Sequence, residues 1–188
     1  MKTLPLLLMG FCLSSVSVSA VEFNQVSSKE SALQFAYTQM GVPMEGAFKQ
    51  FTTQLQFDPA ALAKAQARFE IALSSIDTGS AEANQEVMGR LWFNAKAYPT
   101  ARFVSASIKS VGGNRYLASG QLTLKGVTQN VTAPVTFQST GARGAFDGAF
   151  TIKRLDYHIG EGEWTDLSTV ANEVQIKFHV VVTALPRQ

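Results

Sequence analysis

Residues 174–183 read Val-Gln-Ile-Lys-Phe-His-Val-Val-Val-Thr, and the class of fold can be inferred from this segment. Valine, isoleucine and phenylalanine occupy its even-numbered positions, while glutamine, lysine and histidine occupy the odd-numbered positions up to residue 179. Successive side chains of a β-strand point to opposite faces. A period of two therefore predicts a strand with one apolar face and one wet face.

The same alternation recurs along the chain, with turn signals between the segments. Gly112-Gly113-Asn114 and Lys125-Gly126 supply the positive φ angles that tight turns need. Strands joined by such turns form an antiparallel meander, and eight of them favour closure into a barrel, because closure removes exposed edges. The sequence therefore predicts an all-β, eight-stranded antiparallel barrel. Besides 174–182, the predicted strands are 33–37, 51–57, 67–73, 101–111, 115–124, 127–137 and 145–153.

Helix signals are few and short. Asp58-Pro59 has the pattern of an N-cap followed by proline at the first helical position, which predicts a helix over 60–64. Ser80 is a second N-cap candidate, ahead of a helix over 81–88 that ends at Gly89. We expect one or two short helices beside the barrel.

Length and composition fit one globular domain with a large apolar interior. The 188 residues allow a sizeable core. Charged residues make up 16% of the chain, against roughly a quarter in a typical globular protein. The net charge is +2, and no basic cluster interleaves with aromatic residues, so we expect no nucleic-acid partner.

Residues 1–20 have the pattern of a cleaved signal peptide. Lys2 gives a positive start, 4–13 is apolar, and Val18-Ser19-Ala20 matches the small-residue pattern of a signal peptidase site. The apolar run is too short to span a bilayer as a permanent anchor. We therefore expect export to the periplasm, a mature chain that begins at Val21, and one barrel domain over 21–188.

Residues that could carry catalysis are scarce. His179 falls on the polar face of the 174–183 strand, and His158 lies in a glycine-rich loop near several carboxylates. A metal site needs two or more such ligands to converge. No nucleophile elbow, phosphate-binding loop or dinucleotide motif occurs. We expect a protein that is not an enzyme and has no cofactor and no metal site.

Aromatic side chains are the informative feature. The chain has 13 phenylalanines, and most of those in the predicted strands fall on the apolar face. An eight-stranded barrel is just wide enough to be filled by side chains or to hold one small ligand. The alternation does not separate these alternatives. If the barrel is hollow, the ligand-binding residues chosen by alternation are Phe35, Tyr37, Phe69, Ile71, Tyr116, Leu122, Phe146, Phe150 and Phe178.

Seven short segments, spread along the chain, carry a resemblance that extends over nearly all of residues 22–185. They are Gly-Ala-Phe-Lys-Gln-Phe (46–51), Phe-Asp-Pro (57–59), Ser-Ile-Asp-Thr (75–78), Leu-Trp-Phe-Asn (91–94), Tyr-Pro-Thr-Ala-Arg-Phe (98–103), Gly-Gln-Leu-Thr-Leu-Lys-Gly-Val-Thr (120–128) and Arg-Leu-Asp-Tyr-His-Ile-Gly (154–160). This ordered set resembles the YceI-like family, the lipocalin-like, polyisoprenoid-binding proteins of the bacterial periplasm.

The resemblance implies an extended eight-stranded barrel around an apolar tunnel. It implies a binding or carrier protein for a long-chain ligand, such as an isoprenoid quinone, a polyprenyl lipid or a fatty-acid-like amphiphile. Two segments depart from the family's usual pattern, Ala-Glu-Ala-Asn-Gln-Glu (81–86) and Gly-Glu-Gly-Glu-Trp (160–164). If they contact the ligand's head group, the resemblance does not fix its identity. The first alternative is a filled barrel that acts through its outer surface as a stress or interaction protein, and the second is a hydrolase that uses His158. A homodimer and transient contact with a membrane or membrane protein both stay open.

Overall fold

The computed structural model describes residues 21–185, so the predicted signal peptide at 1–20 lies outside the described residues. Its strands form one curled antiparallel sheet. They are β1 (Glu22–Val26), β2 (Ala32–Gln39), β3 (Val42–Phe48), β4 (Phe51–Gln56), β5 (Gln66–Ala72), β6 (Ile76–Asp77), β7 (Thr100–Gly112), β8 (Arg115–Leu124), β9 (Val127–Thr140), β10 (Arg143–Lys153) and β11 (Glu173–Leu185).

The sheet curls until it meets itself. Its hydrogen-bonded order begins β4-β5-β7-β8-β9-β10-β11, and β1 pairs with the end of β11. Phe23 in β1 and Phe57, just after β4, then exchange backbone hydrogen bonds of 2.8 and 3.0 Å. A ring of eight strands results, consisting of β1, β4, β5, β7, β8, β9, β10 and β11.

Three further strands widen the sheet beyond the ring. β2 pairs with the first half of β11, β3 pairs with β2, and β6 pairs with β3. The all-β, barrel-like fold is confirmed, but the predicted count of eight strands is too low for the whole sheet. The predicted set also held β2 in place of β1. Alternation did not predict β1 and β3, because polar or turn-forming residues interrupt the apolar pattern of both strands. These residues are Asn24, Gln25, Pro43 and Gly46.

One of the two predicted helices is present. α1 spans Ala81–Met88, and the Ser80 hydroxyl caps it by accepting a hydrogen bond from the backbone N–H of Ala83 at 3.3 Å. The helix predicted over 60–64 is wrong: one 3₁₀ turn, Leu62–Lys64, stands there. The Asp58 side chain accepts a hydrogen bond from the N–H of Ala60 at 2.8 Å, which makes a local turn instead of a helix start. Within 21–185, no helix is long and apolar enough to cross a membrane.

Candidate functional site

A cavity of about 580 Å³ occupies the interior of the sheet. Aliphatic and aromatic side chains dominate its wall, and the volume falls within the roughly 300–1,000 Å³ of small-molecule sites. All nine residues chosen by alternation line this cavity, although their contact with a ligand stays a prediction. They are Phe35, Tyr37, Phe69, Ile71, Tyr116, Leu122, Phe146, Phe150 and Phe178.

Packed aromatic rings close the cavity at one end. The Phe57 ring is fully buried, and its centroid lies 4.9 Å from those of Phe137 and Phe146 and 5.3 Å from that of Tyr116. These contacts are edge-to-face, the arrangement that aromatic quadrupoles favour. Phe57, Tyr116 and Phe146 also line the cavity, so this aromatic floor (Phe57, Tyr116, Phe137 and Phe146) is its bottom. The molecule is therefore filled at one end and hollow beyond it.

The cavity reaches solvent beside α1. Among its described lining residues, Glu82 and Glu86 are the exposed ones, and every other one is buried or half-buried. They lie four residues apart, on one face of the helix. The backbone N–H of Glu82 and the Ser80 hydroxyl hold the pKa of Glu82 below its usual value. The mouth of the cavity (Glu82, Glu86 and α1) is therefore acidic at neutral pH.

Glycines inside strands let two wall rings lie close against the sheet. Phe178 in β11 pairs with Gly148 in β10, and Phe35 in β2 pairs with Gly46 in β3. A Cβ at Gly148 would lie 2.8 Å from the carbonyl oxygen of Pro134 and closer still to the Phe178 ring. A side chain at either glycine would therefore displace its ring. These glycines preserve the hollow volume.

A buried arginine holds the rim of the cavity together. Arg154 is 1% exposed and lines the cavity. It donates all five side-chain N–H groups to backbone carbonyls, and no carboxylate of the described residues pairs with it. Four of these hydrogen bonds measure 2.8–3.1 Å. The acceptors belong to Ile159, Gly160, Trp164, Val170 and Ala171.

This arginine-centred loop (155–172) is also joined to its neighbours. The N–H groups of Gly160 and Glu161 donate to the carbonyl of Leu91, just after α1. The N–H of Met40 donates to Thr169, and that of Ala171 donates to Thr38 at the end of β2. Arg154 thus fixes a loop that connects two sides of the open end.

Both tryptophans lie on the same part of the wall. The centroids of Trp92 and Trp164 are 5.3 Å apart, and the Arg154 guanidinium carbon lies 5.5 Å from the Trp92 centroid, within cation–π range. Both side chains line the cavity. Their indole N–H groups are buried and find no acceptor among the described residues, so each carries a desolvation cost of about 1–3 kcal/mol.

The two histidines stand apart from the cavity and from each other. His179 contacts Asp147 at 2.6 Å on the outer face of the sheet, and His158 lies 3.7 Å from Glu161 at the surface. The ammonium of Lys125, 2.9 Å from Glu161, holds the pKa of that carboxyl below its usual value. Within 21–185, no three His, Cys, Asp or Glu side chains converge as metal ligands would.

Sequence reasoning missed the polar part of the wall. A charged residue at the end of a strand, such as Arg154, is normally expected to lie in solvent. Its burial could not be predicted, because its five acceptors come from a loop without regular periodicity. Trp92 lies in a turn and Trp164 in a short 3₁₀ turn, Gly162–Thr165, so neither falls within a strand or α-helix period. The signal that could have found Glu82 and Glu86 is their spacing of four on a capped helix.

These features define a class of protein. A curled antiparallel sheet with an apolar cavity, an aromatic floor and a mouth to solvent is a lipocalin-like fold. The chain belongs to the YceI-like domain family, whose model matches residues 25–182.

Relatives and solved structures agree with this assignment. A UPF0312 protein of Pseudomonas savastanoi pv. phaseolicola is 29% identical, with 84% of this chain and 87% of that protein aligned. The crystal structure of BcnA from Burkholderia cenocepacia is 48% identical in sequence and superposes with a TM-score of 0.82. The superposition covers 85% of this chain and all of that one. A polyisoprenoid-binding domain from Saccharophagus degradans has a TM-score of 0.66 at 20% identity, covers 88% of this chain and 99% of that chain, and supports the fold.

Proposed function

We propose that this chain binds a long-chain amphiphile in its interior and carries it through the periplasm. The ligand classes are an isoprenoid quinone, a polyprenyl lipid and a fatty-acid-like molecule. The observation that carries the proposal is the apolar cavity of about 580 Å³ with its mouth at α1. A neighbour of the same fold is a polyisoprenoid-binding domain, which supports the ligand class.

The physical argument concerns how much ligand leaves water. Each buried methylene contributes roughly 0.8 kcal/mol, so ten buried carbons contribute about 8 kcal/mol. Immobilising the ligand costs at least about 4 kcal/mol. A short chain therefore gains too little to bind, while a long chain gains enough. The aromatic floor sets the depth at which further carbons find no room.

The first test is a chain-length series. We expect the melting temperature of delipidated protein to rise with the length of added prenyl alcohols or fatty amides, and then to level off. Binding at a hundredfold excess over Kd adds about 2.7 kcal/mol, which for a chain of this size raises the melting temperature by about 5–10 °C. Short polar analogues serve as the control and should produce no shift.

The alternative is a filled barrel that acts through its outer surface. The aromatic floor favours it for one end of the molecule, whereas the cavity argues against it for the rest. A flat response across the series, with no lipid extractable from the native protein, would support this alternative. Mass spectrometry of the protein as purified distinguishes the two directly.

Transport through the periplasm requires export. We expect the mature protein to begin at Val21, because Val18-Ser19-Ala20 has the small-residue pattern of a signal peptidase site. N-terminal sequencing of protein from a periplasmic extract checks this expectation. A secreted form that retains Lys2 would contradict it.

A further inference from the structure

We propose that the mouth of the cavity selects a cationic head group, such as an ammonium, over an anionic one. This inference rests on the proposed function, since it needs an aliphatic chain in the cavity to place the head group at α1. Glu82 and Glu86 are the exposed side chains of the lining, and both are acidic. A bound amphiphile with its tail at the aromatic floor would place its polar end beside them.

The described cavity wall offers no free basic side chain for an anion. Among the described lining residues, Arg154 is the one basic side chain, and it is 1% exposed. Its five N–H groups already donate to backbone carbonyls, so none remains for a carboxylate or phosphate. An anion at the mouth would face two carboxylates, and no basic side chain of the described lining is free to offset them.

Aromatic rings approach the same mouth. Tyr37, Phe35, Phe48 and Phe93 follow one another with centroids 5.4–6.3 Å apart. All four line the cavity, and the N–H of Phe93 donates to the carbonyl of Val87 at the end of α1. Ring faces attract an ammonium and add to its attraction by the glutamates. The same ring faces repel an anion.

The nearby cations do not reverse the charge of the mouth. Lys49 pairs with Asp77 at 3.2 Å, and the charge of Arg90 helps to lower the pKa of the Glu161 carboxyl. Neither residue lines the cavity. The N-terminus of α1 is a further positive feature, and Glu82 lies in its first turn, where it offsets that partial charge.

The test compares three ligands that share one chain and differ in head group. Dodecylammonium, dodecanoate and dodecanol are titrated calorimetrically into delipidated protein at low salt and below their micelle concentrations. We expect the wild type to bind the ammonium about tenfold more tightly than the carboxylate, since each exposed charge contact contributes a few-fold. Glu82→Gln with Glu86→Gln should bring this ratio to within about twofold of unity and leave dodecanol binding unchanged.

A matched variant controls for net charge. Glu45→Gln with Glu173→Gln makes the same charge change at exposed positions outside the lining and should retain the wild-type ratio. A ratio that is the same in all three proteins, or a preference for the carboxylate, with dodecanol bound, would overturn this inference alone. Failure of all three ligands to bind would overturn the proposed function, and this inference with it.

Discussion

Replacing Arg154 by methionine is expected to lower the free energy of unfolding by at least about 3 kcal/mol. Methionine replaces the unbranched stem of arginine but removes the guanidinium with its five donors, so the carbonyls of the loop 155–172 lose their partners. Each buried polar group left unpaired costs about 1–3 kcal/mol. Water entering the loosened rim recovers part of this loss, which is why the sum of five such costs is not expected.

The comparison variant is Arg154→Lys. Lysine keeps the positive charge but has three donors that spread from one nitrogen, so it cannot reach five carbonyls arranged around a planar guanidinium. We expect an intermediate loss of stability in urea melts. Equal stability of the wild type and the methionine variant would mean that the loop 155–172 is held without Arg154.

Phe57→Ala is expected to cost about 3–5 kcal/mol, the range for removal of a fully buried phenylalanine. Three aromatic rings surround this side chain within 5.3 Å, so its deletion leaves a void with many lost contacts. Because Phe57 forms part of the aromatic floor, the same change should deepen the cavity. The chain length at which the ligand series levels off should therefore increase.

Phe178→Ala is the control for this effect. Its ring is half-buried and already borders empty volume on one side, so fewer contacts disappear. We expect a cost of about 1–2 kcal/mol in urea melts and no shift of the plateau to longer chains. If both alanine variants lost the same stability, the packed floor and the hollow wall would not be distinct regions.

Much of the fold could be predicted from the alternation of apolar and polar residues, because the side-chain period of a strand is two. The same rule that predicted the strand at 174–183 placed Phe35, Phe69 and Phe178 toward the interior. Alternation cannot state whether an interior is filled. That outcome depends on where the rings lie, as with Phe178 against Gly148, which pairs residues thirty positions apart.

The parts that escaped prediction depend on contacts distant in sequence. Phe57 forms part of the cavity floor because β1 brings Phe23 beside it, and β1 has too little apolar alternation to be recognised. The five N–H groups of the Arg154 side chain find their acceptors only once the loop 155–172 has folded around it. The segments 81–86 and 160–164 depart from the family's pattern, but that departure alone does not say which of them borders the mouth.

The placement of the indoles gives this protein a built-in optical reporter. The whole chain contains two tryptophans, and both line the cavity. Selectively excited indole emission therefore originates entirely at the wall of the candidate site. A quinone bound in the interior would quench that emission, whereas a saturated chain would shift the wavelength of the emission maximum without quenching it. Native protein, with no label and no substitution, would thus reveal both occupancy and the electronic character of its occupant.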